Sequence, residues 1–345
     1  MVALSFDADR DAAARNGAGM PLAWVLHDGK AGMASQALGL AEAAGLAFVE
    51  KRLSVARPWA WLPPQLWLAP LRGATEGGLR LVPPWPDVVI GCGRNAAMPG
   101  LAIRRASDGR CVAAQIQDPR VGRGEFDIMF VGAHDRWRSP HVFVTTGALH
   151  RVTPALLAAE RQRFPALDGL PRPVVAVLIG GSNRNYRLTT QHLAETADRI
   201  AAAVRANNGS VVLTPSRRTA PGALALLRER LAGLPGLIWD GVGENPYYAY
   251  LAVADALLVT ADSVSMVSEA AATGKPVHIL DPQARGAADR GKFARFHKAM
   301  REAGATRPFT GRIESWSYPV LDDTARAGAA LRSLVLARTA HKRTA

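Results

Sequence analysis

The chain contains only two cysteines, Cys92 and Cys111, and both border apolar, strand-like runs without metal-ligand spacing. That excludes a disulfide framework and a cysteine-based zinc site, and leaves buried free thiols in a reducing compartment as the expectation. No HExxH, CxxC or carboxylate-cage spacing occurs, so no metal and no resident cofactor are expected. No uninterrupted apolar run approaches the ~20 residues that a transmembrane helix needs. The opening "MVALSFDADRDAAARNGAGM" carries acids and arginines where a signal peptide would need an apolar core, and reads as a disordered tail over residues 1–20. No RNP aromatic motif or zinc-finger spacing speaks for a nucleic-acid partner. These absences point to a cytoplasmic protein, at most peripheral on the inner membrane.

What remains is a globular composition, 48% hydrophobic and 21% charged over 345 residues. That length predicts two domains of roughly 150 residues each. The net charge of +13 is carried mostly by arginine, since only six of the 42 basic residues are lysine. Such a surface attracts anions, among them nucleotide phosphates and acidic lipids; arginine-rich coding bias is the bland alternative.

From Pro21 onward, short apolar runs alternate with Ala-rich helical stretches, the pattern of parallel βαβ units. "LAWVLH", "DVVIGC", "CVAAQIQ", "FDIMFV" and "HVFVTT" read as strands of a first Rossmann-like domain over 21–168. The turn-rich "GLPRP" marks a linker near 169–173. The alternation restarts with "VVAVLIGG", "SVVLTP", "GLIWD", "ALLVT" and "PVHIL", giving a second domain over 174–310, followed by a C-terminal helix and basic tail over 311–345. Two doubly wound α/β domains in tandem follow from this order. One stretch departs from it: "PWAWLPPQLWLAPLRG", with Trp59, Trp61 and Trp67 among four prolines. Its tryptophans and nearby arginines suit an anionic membrane interface, or else plug the domain core.

Three loops carry candidate chemistry. In "SVSMVSEAAATGKPVHIL", the helix has start signals in Asp262 and Ser263 and stop signals in Gly274 and Pro276. Ser265 and Glu269, four apart, share a face, and a carboxylate can hold both hydroxyls of a ribose; a solvated glutamate would look the same. In "IGGSNRNYRLT", Gly180 and Gly181 let the backbone approach phosphate, with Ser182, Asn183 and Arg184 beside them. The Lys-Ser/Thr pair of a Walker loop is missing, and a tight polar turn is the alternative. In "LHDGKAGMASQ", His27 and Asp28 end the first strand, where either could act as general base or Asp28 could cap the strand. Lys30 and Gln36 follow, and Gln115, Asp118, His134 and His150 also lie just past apolar strands, as ligands of the same cleft or as turn residues.

"DGKAGMASQALGLAEAAGL", "QIQDPR", "TTGALHRV", "IGGSNRNYRLT", "SVSMVSEAAATGKPVHIL" and "KFARFHKAM…GATRPFTG" recur in this order in the ELM1-like family, which the chain resembles over about residues 21–315. More remotely, the C-terminal half is similar to the donor domain of GT-B glycosyltransferases, through Glu269, Ala270, Gly274 and Pro276. That resemblance implies a GT-B-like fold, two Rossmann-like domains facing an interdomain cleft, with a nucleotide-sugar donor, UDP-linked by analogy. It implies Glu269 on the ribose, Gly180, Gly181 and Ser182 on the pyrophosphate, Ser263 to Ser265 on the phosphates from the helix start, and Asp28 on the acceptor side. The implied function is an inverting, metal-independent glycosyltransferase with a lipid-linked or envelope acceptor. The ELM1 resemblance implies instead an adaptor recruiting a protein to a membrane, and epimerase or hydrolase chemistry on a nucleotide-sugar fits the same fold.

Overall fold

The computed structural model describes residues 20–281, 283–284 and 291–344, so nearly all of the expected N-terminal tail lies outside the described residues. The chain divides into two compact units, one of residues 1–151 with 322–345 and the other of residues 152–321.

The first unit holds an eight-stranded sheet in the order β4-β3-β2-β1-β5-β6-β7-β8. Its strands are β1 (Leu22–His27), β2 (Ala47–Val55), β3 (Ala74–Glu76), β4 (Leu79–Arg80), β5 (Val88–Cys92), β6 (Val112–Ile116), β7 (Ile128–Gly132) and β8 (Val142–Thr145). All pairings are parallel except those of β3 with β2 and β4. β1 and β5 are continuous buried runs, as strands covered on both faces must be. Helices α1 (Ala31–Ala44), α2 (Pro70–Gly73) and α3 (Arg94–Ala106) connect them. Because β1 pairs with both β2 and β5, the strand order reverses at the β1/β5 boundary.

The second unit has a six-stranded, wholly parallel sheet ordered β12-β11-β9-β13-β14-β16, beside a two-stranded ribbon β10-β15. Its strands are β9 (Val174–Ile179), β10 (Tyr186–Arg187), β11 (Ser210–Pro215), β12 (Gly236–Ile238), β13 (Ala256–Thr260), β14 (Val277–Leu280), β15 (Gln283–Ala284) and β16 (Thr306–Pro308). Helices α4 (Pro154–Arg163), α5 (Thr190–Ala206), α6 (Pro221–Arg230), α7 (Tyr247–Val253), α8 (Val264–Ala271) and α9 (Lys292–Glu302) complete it. Here the reversal falls between β9 and β13, since β9 pairs with β11 on one side and β13 on the other. In such sheets ligands bind outside the carboxyl ends of the strands at the reversal.

The unit boundaries differ from those expected. The "GLPRP" stretch lies inside the second unit: Leu157, Phe164 and Leu167 before it pack with Val174, Tyr250 and Leu251 after it. Its prolines and glycine mark a turn at a core rather than a break between cores. The carbonyl of Pro173 accepts from the Ser210 amide at 3.0 Å. The last helix, α10 (Asp323–Thr344), belongs to the first unit, where Ala327, Leu331 and Val335 join the core of α1 and β5. Its Asp323 carboxylate accepts from the amides of Thr146 at 2.8 Å and Gly147 at 2.9 Å.

The tryptophan stretch forms two short 3-10 turns, Trp59–Trp61 and Pro64–Leu66, before α2. It splits between its two expected roles. Trp67 is buried, with its indole N–H donating to the Leu62 carbonyl at 3.3 Å, and half-buried Trp59 packs on the same core. Trp61 stands 70% exposed with the Arg57 guanidinium over its ring, and Leu66 and Leu68 are exposed beside it in sequence.

Candidate functional site

At the carboxyl edge of the second sheet, four segments converge. The loop after β9 carries Gly180 and Gly181; β13 ends at Thr260, with Asp262 just past it; the loop after β11 carries Arg218 and Thr219; and Ser263 caps α8. The Gly180 amide donates to Thr260 Oγ1 at 2.7 Å, and the Gly181 amide to Asp262 Oδ2 at 3.0 Å. The same Asp262 oxygen accepts from Arg218 Nη2 at 2.7 Å. Asp262 is 4% exposed. Thr219 Oγ1 donates to the Gly180 carbonyl at 2.5 Å. A Cβ on Gly180 would collide with the Asp262 carboxylate, and one on Gly181 with the Arg218 carbonyl. The two glycines are thus required by the protein's own side chain and backbone, and their amides are already occupied. A pyrophosphate held by these two amides, as the GT-B resemblance implies, would have to displace Thr260 and Asp262 from them.

The neighbouring loop residues are also committed to structure. Asn183 Oδ1 accepts from the amides of Asn185 at 2.7 Å and Tyr186 at 2.9 Å, and its Nδ2 donates to the Asp262 carbonyl at 3.2 Å. Ser182 Oγ accepts from the Leu188 amide at 3.0 Å, and Arg184 is exposed. Ser263 caps α8, its hydroxyl accepting from the Met266 amide at 3.4 Å, while Ser265 is half-buried. The carbonyl of Ala261 receives His297 Nε2 at 2.8 Å. Burial lowers the pKa of His297, so the neutral ring serves as donor there.

Glu269 does not face bulk water. It is 6% exposed on α8, and Oε2 accepts from the Tyr247 hydroxyl at 2.6 Å. Burial first, then the adjacent carboxylate, pushes the Tyr247 phenol well above its ordinary value, so it stays a donor. Tyr247 opens α7, whose C-terminal carbonyls at Leu251 and Ala252 accept from Lys275 Nζ at 2.8 and 2.6 Å. Burial pulls Lys275 down to about 8.

At the corresponding edge of the first sheet, buried carboxamides stand beside local ion pairs. Gln115 is wholly buried; its Nε2 donates to the carbonyls of Gly93 at 3.1 Å and Ile116 at 2.9 Å, and its Oε1 has no partner. Gln36 Nε2 donates to the Gly32 carbonyl at 2.9 Å, and its Oε1 receives Gln117 Nε2 at 3.3 Å. Gln117 and Arg120 both have positive φ, 68° and 61°, a backbone cost of about 1–3 kcal/mol each that clusters at functional loops. Asp118 pairs with Arg123 through both carboxylate oxygens, at 2.8 and 2.5 Å.

His27 is not a free base. It is 1% exposed, its Nε2 bonded to Glu50 Oε1 at 2.9 Å and its Nδ1 accepting from the Gly29 amide at 3.0 Å. Both ring nitrogens are spent on fixing the turn. Asp28 pairs with the exposed Lys30 ammonium and accepts from the Lys30 amide at 3.3 Å, so the half-buried carboxylate closes the strand end. His134 and His150 are buried outside this set: His134 packs against Gly132, and His150, joined through its amide to Thr324 Oγ1 at 3.1 Å, packs against Gly39 of α1. Among the described residues, no group of three His, Cys, Asp or Glu side chains could hold a metal ion, and no helix is long and apolar enough to cross a membrane.

Sequence reasoning singled out Glu269, Gly180 and Gly181 but missed Tyr247, Arg218 and Thr219. The turn "TPSRRTA" after β11 carried a signal, two arginines at the carboxyl edge of a parallel strand; Tyr247 carried only its place in an apolar helix.

Residues 31–335 match the family profile described as Mitochondrial fission ELM1. The chain belongs to that family. It is 37% identical over 286 residues to the mitochondrial fission protein ELM1 of Arabidopsis thaliana, covering 73% of this chain and 65% of the plant protein. The chain therefore spans just under two thirds of that ELM1 relative's length. Among solved structures, it is similar to a Listeria monocytogenes protein described as a UDP-N-acetylglucosamine 2-epimerase, with TM-score 0.52 and 12% identity over 92% of this chain and 87% of the other. It is likewise similar to the UDP-GlcNAc 2-epimerase of Methanocaldococcus jannaschii in complex with UDP-GlcNAc and UDP, with TM-score 0.51 and 12% identity over 92% and 100%. At this identity the likeness establishes the fold: this ELM1-family chain is GT-B-like, built of two Rossmann-like doubly wound units.

Proposed function

We propose that this chain is a nucleotide-sugar enzyme, a GT-B-type glycosyltransferase that acts at the cytoplasmic face on a membrane- or envelope-linked acceptor. The observation that carries the reading is Glu269, a carboxylate buried on a helix that starts at the strand-order reversal and oriented by Tyr247. A carboxylate offers acceptor sites on both of its oxygens, which suits the paired hydroxyls of a ribose. The fold neighbour solved with UDP-GlcNAc and UDP supports a UDP-linked donor. Ser265 lies one turn ahead of Glu269 on α8, and Arg184 on the glycine loop supplies positive charge. In the first unit, Asp28 and Lys30 are the acceptor-side groups: Asp28 takes the proton of an acceptor hydroxyl as its oxygen bonds to the anomeric carbon and the nucleoside diphosphate leaves. No metal is required by this scheme. Trp61, Leu66 and Leu68 with Arg57 and Arg72 supply the apolar and basic groups that meet an anionic bilayer.

The test is thermal-shift titration of the full chain with UDP-sugars. A donor at 100 times its Kd stabilises the folded protein by about 2.7 kcal/mol. Glu269→Ala is expected to lose that shift. Folded protein that responds to no donor, or a variant that responds like the parent, rules the reading out.

A second reading is favoured by the occupied amides of Gly180 and Gly181 and by the fission role in the plant relative's name. In it the GT-B fold serves as a non-catalytic adaptor that recruits a protein to a membrane, and Glu269→Ala leaves biological activity intact. Donor turnover without any acceptor would point instead to epimerase or hydrolase chemistry.

A further inference from the structure

With the two glycine amides taken, a phosphate ligand at this edge needs another partner. The loop after β11 offers one. It is stitched to the end of β9: the Ser216 amide donates to the Ile179 carbonyl at 2.7 Å, and Thr219 Oγ1 reaches the Ile179 and Gly180 carbonyls at 3.1 and 2.5 Å. The Arg218 amide is fixed to Ser216 Oγ at 3.2 Å. Arg218 therefore leaves a backbone anchored at the strand-order reversal, and one end of its guanidinium is held by buried Asp262 while the side chain stays 43% exposed.

We infer that Arg218, positioned by Asp262, is the residue that receives the diphosphate of a nucleoside diphosphate at this edge, in place of the glycine-loop amides. This rests on the donor reading above. A guanidinium has five N–H donors in a planar fork. Spending one on a buried carboxylate fixes the plane and leaves the others for phosphate oxygens, so little freedom is lost when the ligand arrives. Asp262 alone would repel a diphosphate; Arg218 lies directly over its negative charge. Arg184 and Arg187 on the glycine loop are exposed, so the positive field continues beyond the pair. Asp262 acts through Arg218 and is a positioning residue.

The experiment is calorimetric titration of the full chain with UDP and with uridine, which differ only in the diphosphate. The parent is expected to prefer UDP. Arg218→Ala should lower UDP affinity by roughly 10- to 100-fold, the worth of a charge-assisted contact, and leave uridine affinity unchanged. Arg218→Lys should recover part of the preference. Asp262→Asn, which keeps an acceptor for the Gly181 amide, should fall between Arg218→Ala and the parent for UDP alone. An Arg218→Ala protein that keeps the full UDP preference, or that loses uridine equally, overturns the inference while the donor reading stands. A parent protein that binds neither compound removes the donor reading and this inference together.

Discussion

The two units solve the same architectural problem with different chemistry. Each places a glycine-containing loop at the carboxyl end of the strand beside its reversal, β1 in one and β9 in the other, and each ties that loop down with its own side chains. In the first unit that edge mixes the carboxamides of Gln36, Gln115 and Gln117, with the Gln115 Oε1 left without a partner, and local ion pairs of Asp28 with Lys30 and Asp118 with Arg123. In the second the carboxylates are buried: Asp262 beside Arg218, and Glu269 beside Tyr247. Carboxamides read hydroxyls and amides by geometry, whereas a buried carboxylate discriminates by charge and costs more to build, because it must be fully partnered. The comparison teaches that the same loop position can be specialised without altering the sheet behind it.

The strongest way to break this comparison is to remove the charge from the second unit. Asp262→Ala strips a partner from Arg218 and from the Gly181 amide, and is expected to cost about 2–3 kcal/mol. Hydrogen exchange should quicken in β9 and β13 and stay unchanged in the first unit; protection equal to the parent's would show that the pair is not structural. A smaller effect separates the units by pH. Lys275 titrates near 8 when folded against 10.5 for its ordinary value, so the folded state binds fewer protons over that interval and stability rises with pH through it. Between pH 8 and 9 the gain is about 1 kcal/mol in urea unfolding, absent in Lys275→Met. An equal gain in that variant would assign it elsewhere. The smallest effect belongs to the first unit: Leu68→Ser, at a side chain 98% exposed, should leave stability within about 0.5 kcal/mol and weaken flotation with anionic vesicles. Unchanged flotation would dissociate the exposed apolar turn from membranes.

Much of the fold was legible because parallel strands covered on both faces are uninterrupted apolar runs, as in "LAWVLH" and "VVAVLI". β2 was not. Its inward positions include Lys51, buried beneath Trp24 and paired with Glu76 at 3.1 Å, and a lysine at a core position disguises the alternation of a half-buried strand. The Glu269 helix was legible from its caps, but the residues that decide its chemistry were not. Tyr247 reaches it from 22 residues away and Arg218 reaches Asp262 from 44, and neither separation leaves a periodic trace. The partner of His27 was hidden for a related reason: Glu50 sits on the strand that the lysine concealed.

The return of α10 to the first core also sets an order of events during synthesis. Residues that complete the packing around α1, Ala327, Leu331 and Val335, leave the ribosome only after the entire second unit has emerged. The later-born half can close on itself while the earlier-born half waits with α1 partly uncovered, so a chain stalled or clipped just before Asp323 should present a finished second unit and an aggregation-prone first one.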